Sequence, residues 1–367
     1  MRWNRLYPYL TRFTALLGLL SGYLTGCTPA PAAVAPTRRP VLTPAAVEIW
    51  PTAGWRTATP EEQGMDSQKL AQMADKIQQG QPHLDSLLVV HNGYLVFEQY
   101  YGAYQPDTRH ELYSCTKSFV STLVGMALDQ GRIASTGLPV LGFFPGRTFA
   151  NPDPQKEAMT LEDLLTMRSG LDWVEGDPSY QAMYMSRDWV QYMLDKPMVK
   201  KPGSEFLYCS GCTHVLSAIV QQATGMNTLD FAKQNLFAPL GITNLRWDTD
   251  AAGTPIGGWG LQITPRDMAK LGYLYLRGGQ WDGQQIVSTG WVENATRRHT
   301  ATDGDLGYGY QWWTYPSLEG YTALGRFGQT IFVIPWADLV IVTTAANLDN
   351  HDQIFQLIKD YIVPAVQ

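Results

Sequence analysis

The chain has 367 residues, enough for one large domain or two closely packed ones with ample core. It is 45% hydrophobic and 16% charged, with a formal net charge of -6 and no long basic run, which argues against nucleic acid as a partner. His83, His91, His110, His214, His299 and His351 are scattered without metal-ligand spacing, so neither a metal nor a cofactor is expected, and no internal repeat is visible.

At the N-terminus, Arg2, Arg5 and Arg12 precede an apolar run from Phe13 to Leu24. That run is too short to span a bilayer comfortably and suits the apolar core of a secretory signal. It ends in Leu24-Thr25-Gly26-Cys27, which resembles the lipobox of bacterial lipoproteins. The resemblance implies removal of residues 1–26 and lipidation of Cys27; an ordinary cleaved signal peptide is the alternative. Residues 27–46, rich in Pro, Ala and Thr, lack hydrophobic periodicity and read as a tether. Either way the folded body, 47–367, is expected outside the cytoplasm, and the lipobox adds a membrane partner through Cys27.

Ser67 to Gln79 sets Leu70, Met73, Ala74 and Ile77 on one face of an amphipathic helix. Ser86 to Tyr100 reads as two strands about an Asn92-Gly93 turn. After a connector, Phe119, Val120, Leu123, Val124, Ala127 and Leu128 recur at helical spacing, and Gly131 stands where a helix stops. Ser114 falls in the first turn of this helix, and Lys117 lies three residues on, on the same face. A serine hydroxyl is a poor nucleophile until a base takes its proton, and an amine kept neutral by burial can be that base. Burial can lower a lysine pKa by roughly 3 to 5 units. The helix N-terminus adds free N–H groups and partial positive charge. Ser-x-x-Lys also arises by chance, so its context has to decide. The neighbouring Cys115 reads as core packing, not a second nucleophile.

From there to about Thr300 the pattern is mainly helical, with helices expected over Thr160 to Met167, Arg187 to Leu194, Thr213 to Ala223, Thr228 to Leu236 and Pro265 to Arg277. Cys209 and Cys212, three apart, read as two packed thiols, with a disulfide as the alternative. Strands are expected over Tyr308 to Thr314, Thr322 to Phe327, Thr330 to Ile334 and Leu339 to Thr344, then a helix from His351 to Ile362. Strands at both ends of the body imply an α+β fold. One antiparallel sheet, drawn from about 60–115 and 300–367, is flanked by the terminal helices, and a mainly helical lobe, about 116–299, is inserted into it.

Several short segments now point the same way: Ser114-Cys-Thr-Lys117, Met159 to Leu171, Lys201 to Ser210, Pro239 to Ile242, Gly258 to Leu261 and Gly307 to Trp312. In order and spacing the chain resembles the serine β-lactamase and penicillin-binding superfamily, in its class C-like branch of esterases, D-amino-acid peptidases and nylon-oligomer hydrolases. The likeness runs over nearly all of Pro60 to Val363. It implies a third catalytic group, Tyr208, where the family carries Tyr-x-Asn; a phenol beside a lysine ammonium can ionise at a lowered pKa and share the proton work. Whether Lys117 or Tyr208 is the acylation base stays open. Ser210 stands in place of the asparagine and lacks its separate donor and acceptor.

Where β-lactamases carry Lys-Thr-Gly on the strand lining the site, the alignment puts Arg326-Phe327-Gly328-Gln329. By the resemblance, Gly328 keeps the strand open to substrate, and the Gln329 and Ser114 N–H groups form an oxyanion hole. Phe327 removes a hydroxyl that helps hold a substrate carboxylate, and Arg326 either compensates by charge or faces solvent. Efficient β-lactam or D-Ala-D-Ala hydrolysis is therefore disfavoured against esters or small amides. Trp173, Tyr180, Tyr184, Trp189, Trp259, Trp312 and Trp313 fall in segments bordering the family's site, and Asp172 to Met185 is a candidate lid. The expected function is a serine hydrolase working through an acyl-enzyme. The alternatives are a D-Ala-D-Ala peptidase or β-lactamase, or a noncatalytic binder retaining the fold. No Gly-x-Ser-x-Gly elbow supports an α/β-hydrolase, and no protein partner is inferred.

Overall fold

The computed structural model describes residues 50–302, 304–348 and 351–367; the signal-like segment, Cys27 and the tether lie outside the described residues. Asn92 and Gly93, both at positive φ, turn β1 (Ser86–His91) into β2 (Tyr94–Tyr100). Six further strands complete the sheet: β3 (Thr300–Ala301), β4 (Gly307–Tyr308), β5 (Trp313–Tyr315), β6 (Gly320–Gly325), β7 (Gln329–Ile334) and β8 (Leu339–Thr344). Their spatial order is β2-β1-β8-β7-β6-β5-β4-β3, antiparallel throughout. The β1–β8 pairing, from Ser86 opposite Thr344 to His91 opposite Leu339, joins the two ends of the folded body.

Alternation gives the sheet two apolar faces. Leu87, Val89, Phe332, Ile334, Leu339 and Ile341 face a smaller core with α1 (Ser67–Gln78) and the C-terminal helix Asp352–Leu357. Asp66 caps α1 by accepting from the Gln68 and Lys69 N–H groups, and Leu70, Met73 and Ile77 are its buried stripe. Leu88, Val90, Ile331, Val333, Val340 and Val342 face the larger core. That core takes in α2 (Thr116–Asp129), α3 (Ser210–Thr224) and α4 (Pro265–Leu276) of the helical lobe. Every residue of α2 from Thr116 to Ala127 is buried, so it is a central helix and not a half-exposed amphipathic one.

Four local expectations need correction. Tyr308 to Thr314 is not one strand: Gln311, at φ 62, leaves the sheet so that its buried amide accepts from Thr213 Oγ1 at 2.8 Å and donates to the Leu165 carbonyl at 2.9 Å. The lid segment is half helical, with a helix over Ser179–Met185. Arg326 to Gly328 form a turn and not strand, with Phe327 at φ 67 and Gly328 at φ 99. Cys209 and Cys212 form a disulfide. Cys209 is the extended N-cap of α3 (φ -138, ψ 93), which brings the two Cα atoms to 5.2 Å, inside the range a disulfide spans.

Candidate active site

Ser114 sits in a 3-10 turn, Tyr113–Cys115, that runs directly into α2. The start of β7 lies against this turn, where the Cys115 thiol donates to the Gln329 carbonyl at 3.4 Å. Cys115 is fully buried and burial pushes its thiol pKa up, which fits packing and not nucleophilic chemistry. One turn on, Lys117 is 1% exposed. Its Nζ lies 2.8 Å from Ser114 Oγ, 2.9 Å from Ser210 Oγ and 2.8 Å from the Gly258 carbonyl. Burial lowers its pKa to about 8, partly opposed by the negative charge of Glu175.

The Gly258 contact depends on two missing side chains. A Cβ on Gly257 would come within 2.1 Å of the Thr213 carbonyl, and one on Gly258 within 2.9 Å of the Ser210 carbonyl. Only glycines let this segment lie flat on the first turn of α3 and point a carbonyl at the amine.

Tyr208, just before α3, stands close enough to the Ser114 side chain to interact with it. Its ring stacks on Trp313 at 5.7 Å, and Lys117 Nζ sits 4.8 Å from its centroid. Burial, reinforced by the nearby Glu175 carboxylate, pushes the phenol pKa up and not down. The phenol therefore stays protonated at neutral pH, contrary to the expectation that the lysine would ionise it.

Glu175 was not anticipated. Its carboxylate accepts from Ser210 Oγ, from Tyr180 O–H, from the Ser210 N–H at 3.0 Å and from Trp173 Nε1 at 2.7 Å. No motif marks it, since a lone acid in a polar loop carries no periodic or spacing signal. The structure thus brings Ser114, Lys117, Tyr208, Ser210, Trp173 and Tyr180 together around an acid that sequence reasoning missed.

Residues 61–360 match the family model described as Beta-lactamase. The chain belongs to this family, and it is a serine hydrolase. It is 29% identical over 322 residues to the 6-aminohexanoate-dimer hydrolase of Paenarthrobacter ureafaciens, covering 80% of this chain and 82% of that one. Two solved structures share its fold. A family VIII carboxylesterase superposes with a TM-score of 0.68 at 16% identity, covering 84% of this chain and 98% of that one. EstCE1, a hydrolase with promiscuous acyltransferase activity, gives 0.67 at 18% identity, covering 80% and 98%.

Around this β-lactamase-family centre the aromatic residues divide. Tyr180 packs on Trp173 and Trp259 with centroids 5.8 and 5.2 Å apart, and Tyr184 and Trp189 extend the wall against Trp259 at 6.0 and 5.9 Å. Trp313 backs Tyr208, whereas Trp312 is fully buried against Tyr275 at 4.5 Å and belongs to the core. Beside the nucleophile, Tyr113 meets the Phe327 ring edge-on at 5.3 Å, and the Arg326 guanidinium covers the same ring at 4.2 Å. The space beside Gly328 faces Leu348 and Ala345, 3.0 and 3.1 Å from where a Cβ would stand. This glycine allows the turn, at φ 99, and the close packing beneath it.

Proposed function

We infer that this serine hydrolase forms an acyl-enzyme at Ser114 on a carboxylic ester or a small linear amide, and that it works outside the cytoplasm. The observation that carries the reading is the 2.8 Å contact between Ser114 Oγ and a lysine amine whose pKa lies near 8. Ser114 attacks the carbonyl as neutral Lys117 takes its proton. The Ser114 and Gln329 N–H groups receive the oxyanion, and the protonated phenol of Tyr208 is placed to donate to the leaving group. The proton held by Lys117 replaces the one Tyr208 gave up, returning both groups to their starting states, and water then repeats the sequence on the acyl carbonyl and releases the acid.

Two features support substrates without a carboxylate at the site. Phe327, where β-lactamases carry a hydroxyl residue, offers no hydrogen bond to a substrate carboxylate. Glu175 adds a negative charge beside Lys117 and Ser210. The relative named for a 6-aminohexanoate dimer, matched over 82% of its length, supports the linear amide as a second substrate class. The compartment rests on the signal-like N-terminus and on the Cys209–Cys212 disulfide, since disulfides persist mainly in oxidising compartments. Lipidation at Cys27 would hold the enzyme to a membrane.

The test is intact-mass detection of acyl adducts with p-nitrophenyl butyrate, the linear 6-aminohexanoate dimer and nitrocefin. One adduct per chain with the ester, absent from folded Ser114→Ala, and ester turnover well above nitrocefin turnover are expected. Equal turnover by Ser114→Ala would sink the mechanism, and faster nitrocefin turnover would sink the substrate class.

A further inference from the structure

Whether Lys117 can act on Ser114 depends on where one hydroxyl proton points. A neutral amine has two N–H donors and one lone pair, and the Gly258 carbonyl can only accept, which commits one donor. Two arrangements remain. If Ser210 donates its hydroxyl proton to the amine, the lone pair is used and an N–H faces Ser114, which is the wrong polarity for a base. If the Ser210 proton is held elsewhere, Ser210 must accept from the amine, and the lone pair is left facing Ser114.

Glu175 supplies that other partner. A carboxylate is acceptor-only, so its contact with Ser210 Oγ has one polarity: the hydroxyl donates to Glu175. The Tyr180 O–H, the Trp173 Nε1–H and the Ser210 N–H converge on the same carboxylate, the last from the start of α3, where free N–H groups favour an anion. We propose that Glu175 is a positioning residue of the active site. By holding the Ser210 hydroxyl proton, it turns the Lys117 lone pair toward Ser114. This rests on the acyl-enzyme reading and adds to it a residue that acts through Ser210 without touching the reacting atoms.

The charge has its own signature. The ionisable groups around the Lys117–Ser210–Glu175 chain are Cys115 beside Lys117, and Tyr180, Tyr208 and Tyr308 around Glu175, with Arg326 reaching Tyr180. Glu175 is the anion that favours the Lys117 ammonium, so removing its charge must make the amine easier to deprotonate.

The test is Glu175→Gln, Ser210→Ala and the double variant, assayed for ester hydrolysis across pH. Glu175→Gln puts an amide NH2 among converging donors and should lower kcat about 100-fold, as expected for a misaimed catalytic group, with KM little changed. The acid limb of its pH profile should move to lower pH, and the double variant should be no slower than Ser210→Ala alone. An unmoved acid limb, or losses that multiply in the double variant, would overturn the proposal. Should Glu175→Gln fail to fold, Glu175→Asp decides: it keeps the charge but falls short of Ser210, so kcat drops while the acid limb stays. Wild-type kcat in that variant refutes the role. Absence of an adduct in the wild-type enzyme would instead remove the acyl-enzyme reading beneath it.

Discussion

Lowering the pH is the mildest perturbation that interrogates Lys117. Its amine is competent as a base only when neutral, and burial has lowered its pKa from 10.5 to about 8. The neutral fraction is then about 1% at pH 6, about 10% at pH 7 and about 90% at pH 9. A solvent-exposed lysine would be neutral to roughly 0.03% at pH 7, so burial enriches the working base roughly 300-fold. The sign follows directly: activity is present above the folded-state pKa and lost as pH falls through it. Hydrolysis of a simple ester, followed by alkali uptake at constant ionic strength, should give kcat/KM rising about tenfold per pH unit below 8 and levelling above it. A flat profile between pH 6 and 9 would show that no group with Lys117's pKa limits the reaction. A rise centred well above pH 9 would move the base to Tyr208, whose pKa burial pushes upward.

Tyr208→Phe keeps the ring stacked on Trp313 and removes only the donor, so kcat should fall about 100- to 10,000-fold while the fold, read by circular dichroism, is kept. The loss should be smaller for an ester with a good leaving group than for an amide, and equal losses would mean that the phenol does not protonate the leaving group. Replacing Cys209 and Cys212 together by serine opens a short loop at the cap of α3 and should cost about 2 kcal/mol in urea unfolding, by loop entropy. Since Tyr208 and Ser210 flank Cys209, kcat should fall as well, and unchanged stability and rate would show that the bridge does not hold this cap in place.

What could be read from the sequence was what local spacing determines. The hairpin around Asn92-Gly93 and the stripe of α1 need only their own residues, as does the 2.8 Å approach of Lys117 to Ser114, because a helical offset of three places two side chains on one face. Tyr208 was found only through family likeness, since nothing in Leu207-Tyr208-Cys209 signals catalysis. The Ser210–Glu175 and Thr213–Gln311 contacts join residues 35 and 98 apart, and their partners are set by how the helical lobe packs. Gln311 left the predicted strand for the same reason: a buried amide has to find partners, and those partners lie on helices from other parts of the chain.

The identity of residue 210 follows from the same logic. A serine hydroxyl has one proton and no fixed direction, so beside an amine it can serve either polarity. Placing it between Lys117 and an acceptor-only carboxylate removes that freedom. The position is therefore workable only as a pair with Glu175. The carboxylate that orients the base also favours its charged form, so one residue improves the aim of the lone pair while reducing how often it is available. The balance is set by desolvation, the larger of the two influences on Lys117, which keeps its pKa below that of a free lysine despite the nearby anion. A variant that lets water reach Lys117, such as Trp313→Ala, which removes the ring stacked on the Tyr208 cover of the amine, should raise that pKa and move the acid limb upward, opposite to Glu175→Gln. If both variants moved the limb the same way, charge and burial would not be acting separately on this amine.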